Sequence, residues 1–131
     1  MSTHIPNNHK QCSICSKPFF TEESVIDVVA LPDGRVIAEI ITTDKTQGYQ
    51  GIVQGGIIST LHDCMMVHCL FYQDIVAYTA ELSVRFISPV PLGQKLMLEA
   101  VLTTTKKGIY YLQSTITCDG KVLSKASGKF V

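Results

Sequence analysis

The stretch that decides the fold runs from Gln47 to Asp63 and reads QGYQGIVQGGIISTLHD. Four glycines interrupt its first part: Gly48, Gly51, Gly55 and Gly56. Such a run indicates that backbone placement governs this segment, because glycine reaches conformations that other residues avoid. Residues 57–72 then present apolar side chains on nearly every helical face, which is typical of a buried central helix. The stretch therefore predicts a glycine-rich loop that leads directly into one buried helix.

Strand patterns lie on both sides of this helix. Before it, residues 24–31 and 35–43 are rich in Val and Ile, and the Pro32-Asp33-Gly34 turn between them predicts a β-hairpin. After it come four further strand patterns: residues 77–87, 95–107, 109–118 and 121–131. Short turns join the last three into a meander. The chain therefore predicts the α+β class, with one antiparallel sheet of about six strands curled around one long helix.

Length and composition indicate one domain. The chain has 131 residues, 46% of them hydrophobic and 17% charged, and half of it would be too small to bury its own core. Residues 1–21 lack a sustained pattern and are expected to form an N-terminal arm before a domain of residues 22–131. The polar start has no signal-peptide pattern, and residues 57–72 are too short to cross a bilayer comfortably. We expect a cytoplasmic protein with reduced thiols and no membrane contact.

The charges balance, with 11 Lys and Arg against 11 Asp and Glu, which argues against binding to nucleic acid by bulk electrostatics. Basic residues nevertheless gather in the last strands: Arg85, Lys95, Lys106, Lys107, Lys121, Lys125 and Lys129. This clustering favours a site for a phosphate-bearing ligand. The alternative is that these side chains are exposed on strand faces and edges, where they keep the sheet from pairing with other chains.

Chemistry is expected where the helix begins. The first N–H groups of a helix have no partner within it, and Gly55 and Gly56 allow another group to approach them closely. Together with the helix dipole, this favours an anion or oxyanion site. Asp63 lies two turns further along an otherwise apolar helix, where a carboxylate needs a partner or a purpose. The alternative is a simple close turn, with Asp63 as a cap or in contact with water.

From Gln47 to the C-terminus, the chain resembles the hotdog-fold acyl-CoA thioesterases of the phenylacetic acid degradation type. The resemblance is carried by residues 47–63, quoted above, and by residues 79–90, TAELSVRFISPV. The family shows His-Gly-Gly, an acidic residue seven positions after the second Gly, and a strand that ends in an aromatic residue and a proline. The residues that fit this register are Gly55, Gly56, Asp63, Thr79, Phe86 and Pro89.

The resemblance implies roles for individual residues. The N–H groups of Gly55 or Gly56 would polarise a thioester carbonyl, and Asp63 would act as nucleophile or as the base that activates water. Thr79 would orient that water, and Gln47 would help to hold the substrate. The implied activity is hydrolysis of an acyl-CoA to a free acid and coenzyme A.

Four further residues complete the expected substrate site: Ile57, Met66, Arg85 and Pro89. The first two would belong to an apolar wall around the acyl group. Arg85 is part of the basic cluster that would meet a coenzyme A phosphate. The family's active site straddles a dimer interface, so a homodimer or homotetramer is implied. No cofactor is expected.

Gln54 departs from the family pattern, because it stands where the family usually has His. An amide can replace a histidine that only holds the loop by hydrogen bonding, but it cannot replace imidazole chemistry. The departure argues against a hotdog dehydratase, which needs a catalytic His. It leaves two functions open: an acyl-CoA thioesterase, or a protein that binds acyl-CoA without catalysis.

The N-terminal arm carries a second group of reactive side chains. Cys12 and Cys15 form a Cys-x-x-Cys motif, with His4 and His9 upstream. Such a set suits tetrahedral zinc coordination, but no second Cys-x-x-Cys follows. A redox motif would need a strand before it and a helix after it. We therefore interpret the segment as a structural arm, with a metal site as the alternative.

Overall fold

One α-helix packs against a six-stranded antiparallel sheet in the computed structural model, which describes residues 5–21 and 24–131. In chain order the elements are β1 (Val29–Ala30), β2 (Val36–Ile41), α1 (Gly55–Phe71), β3 (Thr79–Phe86), β4 (Lys95–Lys106), β5 (Ile109–Cys118) and β6 (Lys121–Phe130). Two short 3-10 helices lie at Asn7–His9 and Asp44–Thr46. The predicted α+β arrangement, with six strands and one long helix, is confirmed.

The strands lie side by side in the order β1-β2-β4-β5-β6-β3. The predicted meander is formed by β4, β5 and β6, and its two turns, Lys107-Gly108 and Asp119-Gly120, have the positive φ values that tight hairpin turns require. By contrast, β3 crosses to the far side of the sheet and pairs with β6. It is therefore an edge strand, whose outer side has no partner within the described part of the chain.

The first hairpin differs from the prediction. The strand β1 has two residues instead of spanning 24–31, although the turn before Arg35 is present. Ile26 and Val28 precede β1, and their side chains are buried in the core. Because every second side chain is buried here, buried and exposed residues alternate as they do in a strand. The sequence alone does not distinguish such a segment from a strand.

The helix α1 is buried along most of its length, as its apolar composition predicts. Its buried residues are Ile58, Leu61, His62, Cys64, Met65, Met66, His68, Cys69, Leu70 and Phe71. Gly128 on β6 lets helix and sheet approach closely, since a Cβ there would lie 2.7 Å from the sulfur of Met66. Despite this apolar character, no helix in residues 5–21 and 24–131 is long and apolar enough to cross a membrane.

His62 joins the helix to the sheet through polar contacts inside the core. Its Nδ1 lies 2.6 Å from the hydroxyl of Ser114 on β5, and its Nε2 lies 2.8 Å from that of Ser124 on β6. Because Ser124 donates its proton to the carbonyl of Arg85, its oxygen is left to accept from Nε2–H. The pKa of His62 is lowered to about 4 by burial. The ring is therefore neutral in the folded protein at neutral pH.

The buried neutral ring predicts a loss of stability in acid. A histidine in the unfolded chain has a pKa near 6.5, whereas folded His62 has a pKa of about 4. Between these two pH values the unfolded chain binds a proton at this residue and the folded protein does not, which favours unfolding. His62 should therefore destabilise the fold progressively from pH 6.5 down to pH 4, by at most about 3 kcal/mol. Urea unfolding at fixed protein concentration and several pH values measures this. The His62→Gln variant removes this titration, so an equally steep acid loss in both proteins would contradict the prediction.

Candidate active site

Gln54 is the residue that begins α1. Its side-chain carbonyl accepts a hydrogen bond from the N–H of Ile57 at 3.0 Å, which is the contact of an N-cap residue. Its own N–H donates to the carbonyl of Thr46 at 2.8 Å. The helix consequently begins at Gly55, two residues earlier than the apolar pattern alone predicts. The residue that departs from the family pattern thus holds the loop and the helix together by hydrogen bonding.

The loop before Gln54 closes on itself. The side-chain carbonyl of Gln47 accepts from the N–H of Gly51 at 2.8 Å, and the N–H of Gly48 donates to the carbonyl of Ile52 at 2.9 Å. A Cβ on Gly48 would lie 2.9 Å from the Cα of Gln54, so only glycine fits between the two segments. Gln47 therefore supports the loop directly, whatever it contributes to substrate binding.

Gly55 and Gly56 form the first turn of α1, where backbone N–H groups have no acceptor within the helix. Both residues are exposed. A Cβ on Gly55 would have ordinary contacts, the nearest at 3.7 Å from the ring of Phe86 on β3. A Cβ on Gly56 would lie 2.8 Å from the capping oxygen of Gln54. Gly55 thus faces the edge strand, whereas Gly56 makes room for the cap.

These two glycines provide a matched test of the cap. Gly55→Ala should leave the free energy of unfolding unchanged or raise it slightly, because alanine favours helix and meets no obstacle. Gly56→Ala should push the Gln54 amide out of its capping position and be about 1 kcal/mol less stable than Gly55→Ala. Urea denaturation of the two variants in parallel measures the difference. Equal stabilities would contradict the capping role of Gln54.

Asp63 and Thr79 meet across the groove between α1 and the edge strand. The hydroxyl of Thr79 donates to Oδ1 of Asp63 at 2.7 Å, although the two residues are 16 positions apart. Burial raises the pKa of Asp63, and the hydrogen bond from Thr79 opposes this rise. A partly desolvated carboxylate with one oxygen held in place is suited to act as a base or a nucleophile. The structure thus places the Thr79 hydroxyl on the carboxylate itself, whereas the resemblance implied that this hydroxyl orients the attacking water.

A small cavity of about 80 Å³ lies beside Asp63. Its walls come from the N-terminal arm and from α1: His9, Cys12, Ile14, Cys15, Thr60, Asp63, Cys64 and Val67. No local pattern in the sequence indicates that the arm reaches the candidate site. The available signal was the density of Cys and His in residues 9–15 and again in 62–69, which no local pattern connects.

The remaining predicted substrate residues do not line the cavity beside Asp63. Met66 is completely buried, Ile57 is half-buried, and Pro89 is exposed in the connection after β3. Arg85 pairs in register with Lys125, next to the pair formed by Val84 and the buried Ala126. Since side chains alternate along a strand, the two cations lie on the sheet face that points away from the helix.

Arg85 and Lys125 form part of an open groove on that outer face. Its lining residues are Ser83, Val84, Arg85, Gln113, Ser114, Thr115, Lys125, Ala126 and Ser127. Neither cation forms an ion pair with any residue that the structure describes. Like charges directly opposite each other on paired strands repel, so this groove is suited to an anion that bridges them.

The comparison with known protein families agrees with this geometry. The model of the Thioesterase superfamily matches residues 50–125, which include α1, its glycine-rich start and most of the sheet. The chain belongs to the thioesterase superfamily. The matched region contains Asp63, Thr79 and the helix start, whereas the N-terminal arm lies outside that region. No curated protein matches the chain.

Solved structures of thioesterase superfamily proteins share the fold. The protein in one such crystal structure is 29% identical in sequence, and the two structures superpose with a TM-score of 0.79. The match covers 82% of this chain but 56% of the other, so this chain spans just over half of that protein's length. The smu.793 protein of Streptococcus mutans, bound to acetyl CoA, is 22% identical, with 84% and 90% of the two chains covered and a TM-score of 0.75. The E. coli PaaI protein, from the phenylacetic acid degradation operon, is 19% identical, with 80% and 81% covered and a TM-score of 0.74. The hotdog arrangement expected from the sequence is therefore shown.

Proposed function

We propose that this protein is an acyl-CoA thioesterase that acts as a homodimer or as a homotetramer built from two dimers. The observation that carries the proposal is the hydrogen bond between Thr79 and Asp63 on a helix that begins with two exposed glycines. Structural neighbours support the class of ligand, since the S. mutans protein is bound to acetyl CoA and one from Streptococcus pneumoniae is bound to coenzyme A. The free thiols of all five cysteines fit the reducing conditions of a cytoplasmic location.

The reaction follows from the chemistry of these groups. The thioester carbonyl accepts hydrogen bonds from the N–H groups of Gly55 and Gly56. The dipole of α1 stabilises the negative charge that develops on the carbonyl oxygen. Asp63 either takes a proton from the attacking water or attacks the carbonyl itself. In the first route the C–S bond breaks, the free acid forms, and the coenzyme A thiolate takes the proton that Asp63 accepted. In the second route the thiolate leaves and is protonated by solvent, and a water molecule then hydrolyses the acyl-Asp63 anhydride to the free acid and restores the carboxylate. Thr79 fixes the orientation of the carboxylate throughout.

The spacing along α1 supports a site that is shared between subunits. Asp63 lies seven residues beyond Gly56, which corresponds to about 10 Å along the helix axis. One carbonyl group cannot accept a hydrogen bond from the helix start and also lie within attack distance of Asp63 on the same helix. A complete site therefore combines Asp63 of one subunit with the helix start of the other.

The edge strand β3 offers the surface for this dimer. Its outer side is unpaired within the described residues, and exposed apolar side chains lie on it and at its ends, with Tyr78 74% and Phe86 56% exposed. A long exposed edge strand pairs readily with another strand. Pairing of β3 with its copy across a twofold axis covers this surface. It also places Phe86, which flanks Gly55, at the interface.

The outer groove supplies a place for the polar part of the substrate. Arg85, on the same edge strand as Thr79, and Lys125, on the neighbouring β6, would hold the phosphates of coenzyme A there. The acyl group would lie on the helix side, against Ile57. Phosphates and thioester would thus occupy opposite faces of β3, with the pantetheine portion passing between them at the dimer interface.

The alternative is an acyl-CoA binding protein without catalysis. The observation that favours it is the position of Gln54, whose side chain is engaged in capping α1 where the family usually has His. Turnover separates the two functions. Binding of acyl-CoA substrates by the wild-type protein, with no hydrolysis across a panel of short, long and aromatic acyl groups, would establish the binding function and exclude the enzyme.

The role of Asp63 is tested by removing its charge without changing its shape. Asp63→Asn should lower kcat by roughly 100-fold or more, because general acid–base catalysis contributes at least that much. The matched control is Asp119→Asn, in an exposed hairpin turn where asparagine also tolerates the positive φ. Thr79→Ala should reduce kcat more than Thr79→Ser, which keeps the hydroxyl. Hydrolysis is followed by release of the free thiol. Full activity of Asp63→Asn would exclude the mechanism.

The shared site is tested with two complementary variants. Gly55→Pro removes one N–H group from the helix start, and proline fits this first helical position because the preceding Gln54 has φ −63° and ψ 138°. Loss of this donor should reduce kcat about 10²–10³-fold, whereas Gly55→Ala keeps the donor and should retain activity.

When Gly55→Pro and Asp63→Asn subunits are mixed and allowed to exchange, heterodimers should contain one intact site. Activity should then return to about a quarter of the wild-type value, as random pairing of symmetric dimers gives. The measurement is hydrolysis before and after exchange, with each variant alone as control. Two inactive proteins that stay inactive after demonstrated exchange would place both groups of the site in one subunit.

A further inference from the structure

The N-terminal arm and α1 bring sulfur and nitrogen donors together outside the reaction described above. Cys12 and Cys15 belong to the arm, and Cys64 and His68 lie one turn apart on the helix. The ligand atoms of Cys15, Cys64 and His68 all lie within 4.8 Å of one another, and those of His9, Cys12 and Cys15 form a second group of the same size. Cys15 is common to both groups and therefore lies at the centre of the cluster.

His68 points to a ligand at this position. The residue is 0% exposed, and neither of its ring nitrogens has a hydrogen-bond partner among the residues described. Nε2 of His9 is also buried without a hydrogen-bond partner among these residues. An unsatisfied buried imidazole is costly, and buried polar side chains in folded proteins nearly always have a partner. Phe71 packs edge-on against both rings and offers no lone pair to either.

The distances between the sulfurs suit a tetrahedral ion. The sulfur of Cys15 lies 3.5 Å from that of Cys64, close to the roughly 3.8 Å that separates two ligands at 2.3 Å from a zinc ion. The N–H of Cys15 donates to the sulfur of Cys12 at 3.4 Å, which holds the two cysteines of the motif side by side. The cavity beside Asp63 opens onto the cluster and provides a route of entry.

The donor atoms decide which metal suits this cluster. Two thiol groups, of Cys12 and Cys64, and two imidazoles, of His9 and His68, lie around Cys15. Such a soft donor set selects zinc rather than magnesium or calcium.

We propose that the arm and α1 bind one zinc ion through Cys15, Cys64 and His68, whose ligand atoms lie within 4.8 Å of one another, with Cys12 from the neighbouring group as the fourth ligand. The arm supplies a Cys-x-x-Cys pair and the helix supplies a Cys-x-x-x-His pair, which together give the Cys₃His set of a closed structural site. Binding releases the thiol protons and satisfies His68. The ion fastens residues 9–15 to the helix immediately after Asp63, so it fixes the wall of the cavity beside the carboxylate. His9 stays outside the ligand set.

The test is metal analysis of the full chain, purified without a tag under reducing conditions and incubated with zinc before removal of the excess. One zinc per chain is expected, together with the visible absorption of thiolate-bound tetrahedral Co²⁺ when cobalt replaces zinc. Chelation should lower Tm and increase hydrogen exchange in residues 5–21. Zinc well below one ion per chain would overturn the proposal. A mass two hydrogens lower, without metal, would show a disulfide in place of the zinc site and would also overturn the proposal, with peptide mapping to identify the paired cysteines.

Single variants test the ligand set. Cys15→Ser, Cys64→Ser and His68→Gln should each lose stoichiometric zinc, whereas His9→Gln should retain it. The control is Cys69→Ser, because Cys69 is equally buried on the same helix but faces the carbonyl of Gly34. Retention of zinc by His68→Gln with loss by His9→Gln would overturn the ligand assignment. The stoichiometry of the wild-type protein decides the proposal even if a variant fails to fold.

Discussion

The close approach of three backbone segments at the start of α1 is the constraint on which the rest of the structure depends. Gln54 caps the helix, hydrogen-bonds to Thr46, and touches Gly48 and Gly56 at distances that leave no room for a Cβ. The next residue back, Val53, donates to the carbonyl of Val90 in the connection between β3 and β4. One cap thus ties the loop, the helix and the sheet connection together. The exposed N–H groups of the helix start keep their position because this junction is tight.

The junction explains how the family's fold persists with glutamine where histidine is usual. A side-chain carbonyl is sufficient to accept from the N–H of Ile57, and this contact requires no imidazole. A histidine does make polar contacts inside the core, but it is His62, which lies between two serines. The substitution therefore leaves the architecture intact. Its chemical consequence depends on whether the reaction needs a proton carrier at this position.

Local patterns predicted the elements but not all of their boundaries. The apolar run of residues 57–72 identified the helix, and the Gly and Pro punctuation identified the meander, because both signals are short-range. The strand predicted over 24–31 was wrong in length, since burial of Ile26 and Val28 produces the same alternation as a strand. The side of the sheet on which Arg85 lies depends on the register between β3 and β6, which the sequence of β3 alone does not contain.

The candidate site shows the same division between local and long-range information. A family resemblance predicted that Asp63 and Thr79 belong to one site, and a hydrogen bond joins the two side chains. The contact of Cys15 with Cys64 spans 49 positions and joins the arm to the helix, and no motif in either segment indicates it. The arm lies outside the region that the superfamily shares, yet its residues line the cavity next to Asp63.

A cavity of about 80 Å³ is too small for an acyl chain, so the wall formed by the arm closes one side of Asp63. Thr79 holds the carboxylate from the other side, at the edge strand. The substrate would therefore reach Asp63 from the side away from the arm, between the two subunits of the proposed dimer. The arm, which lies outside the region matched by the superfamily model, thus determines which side of Asp63 is accessible.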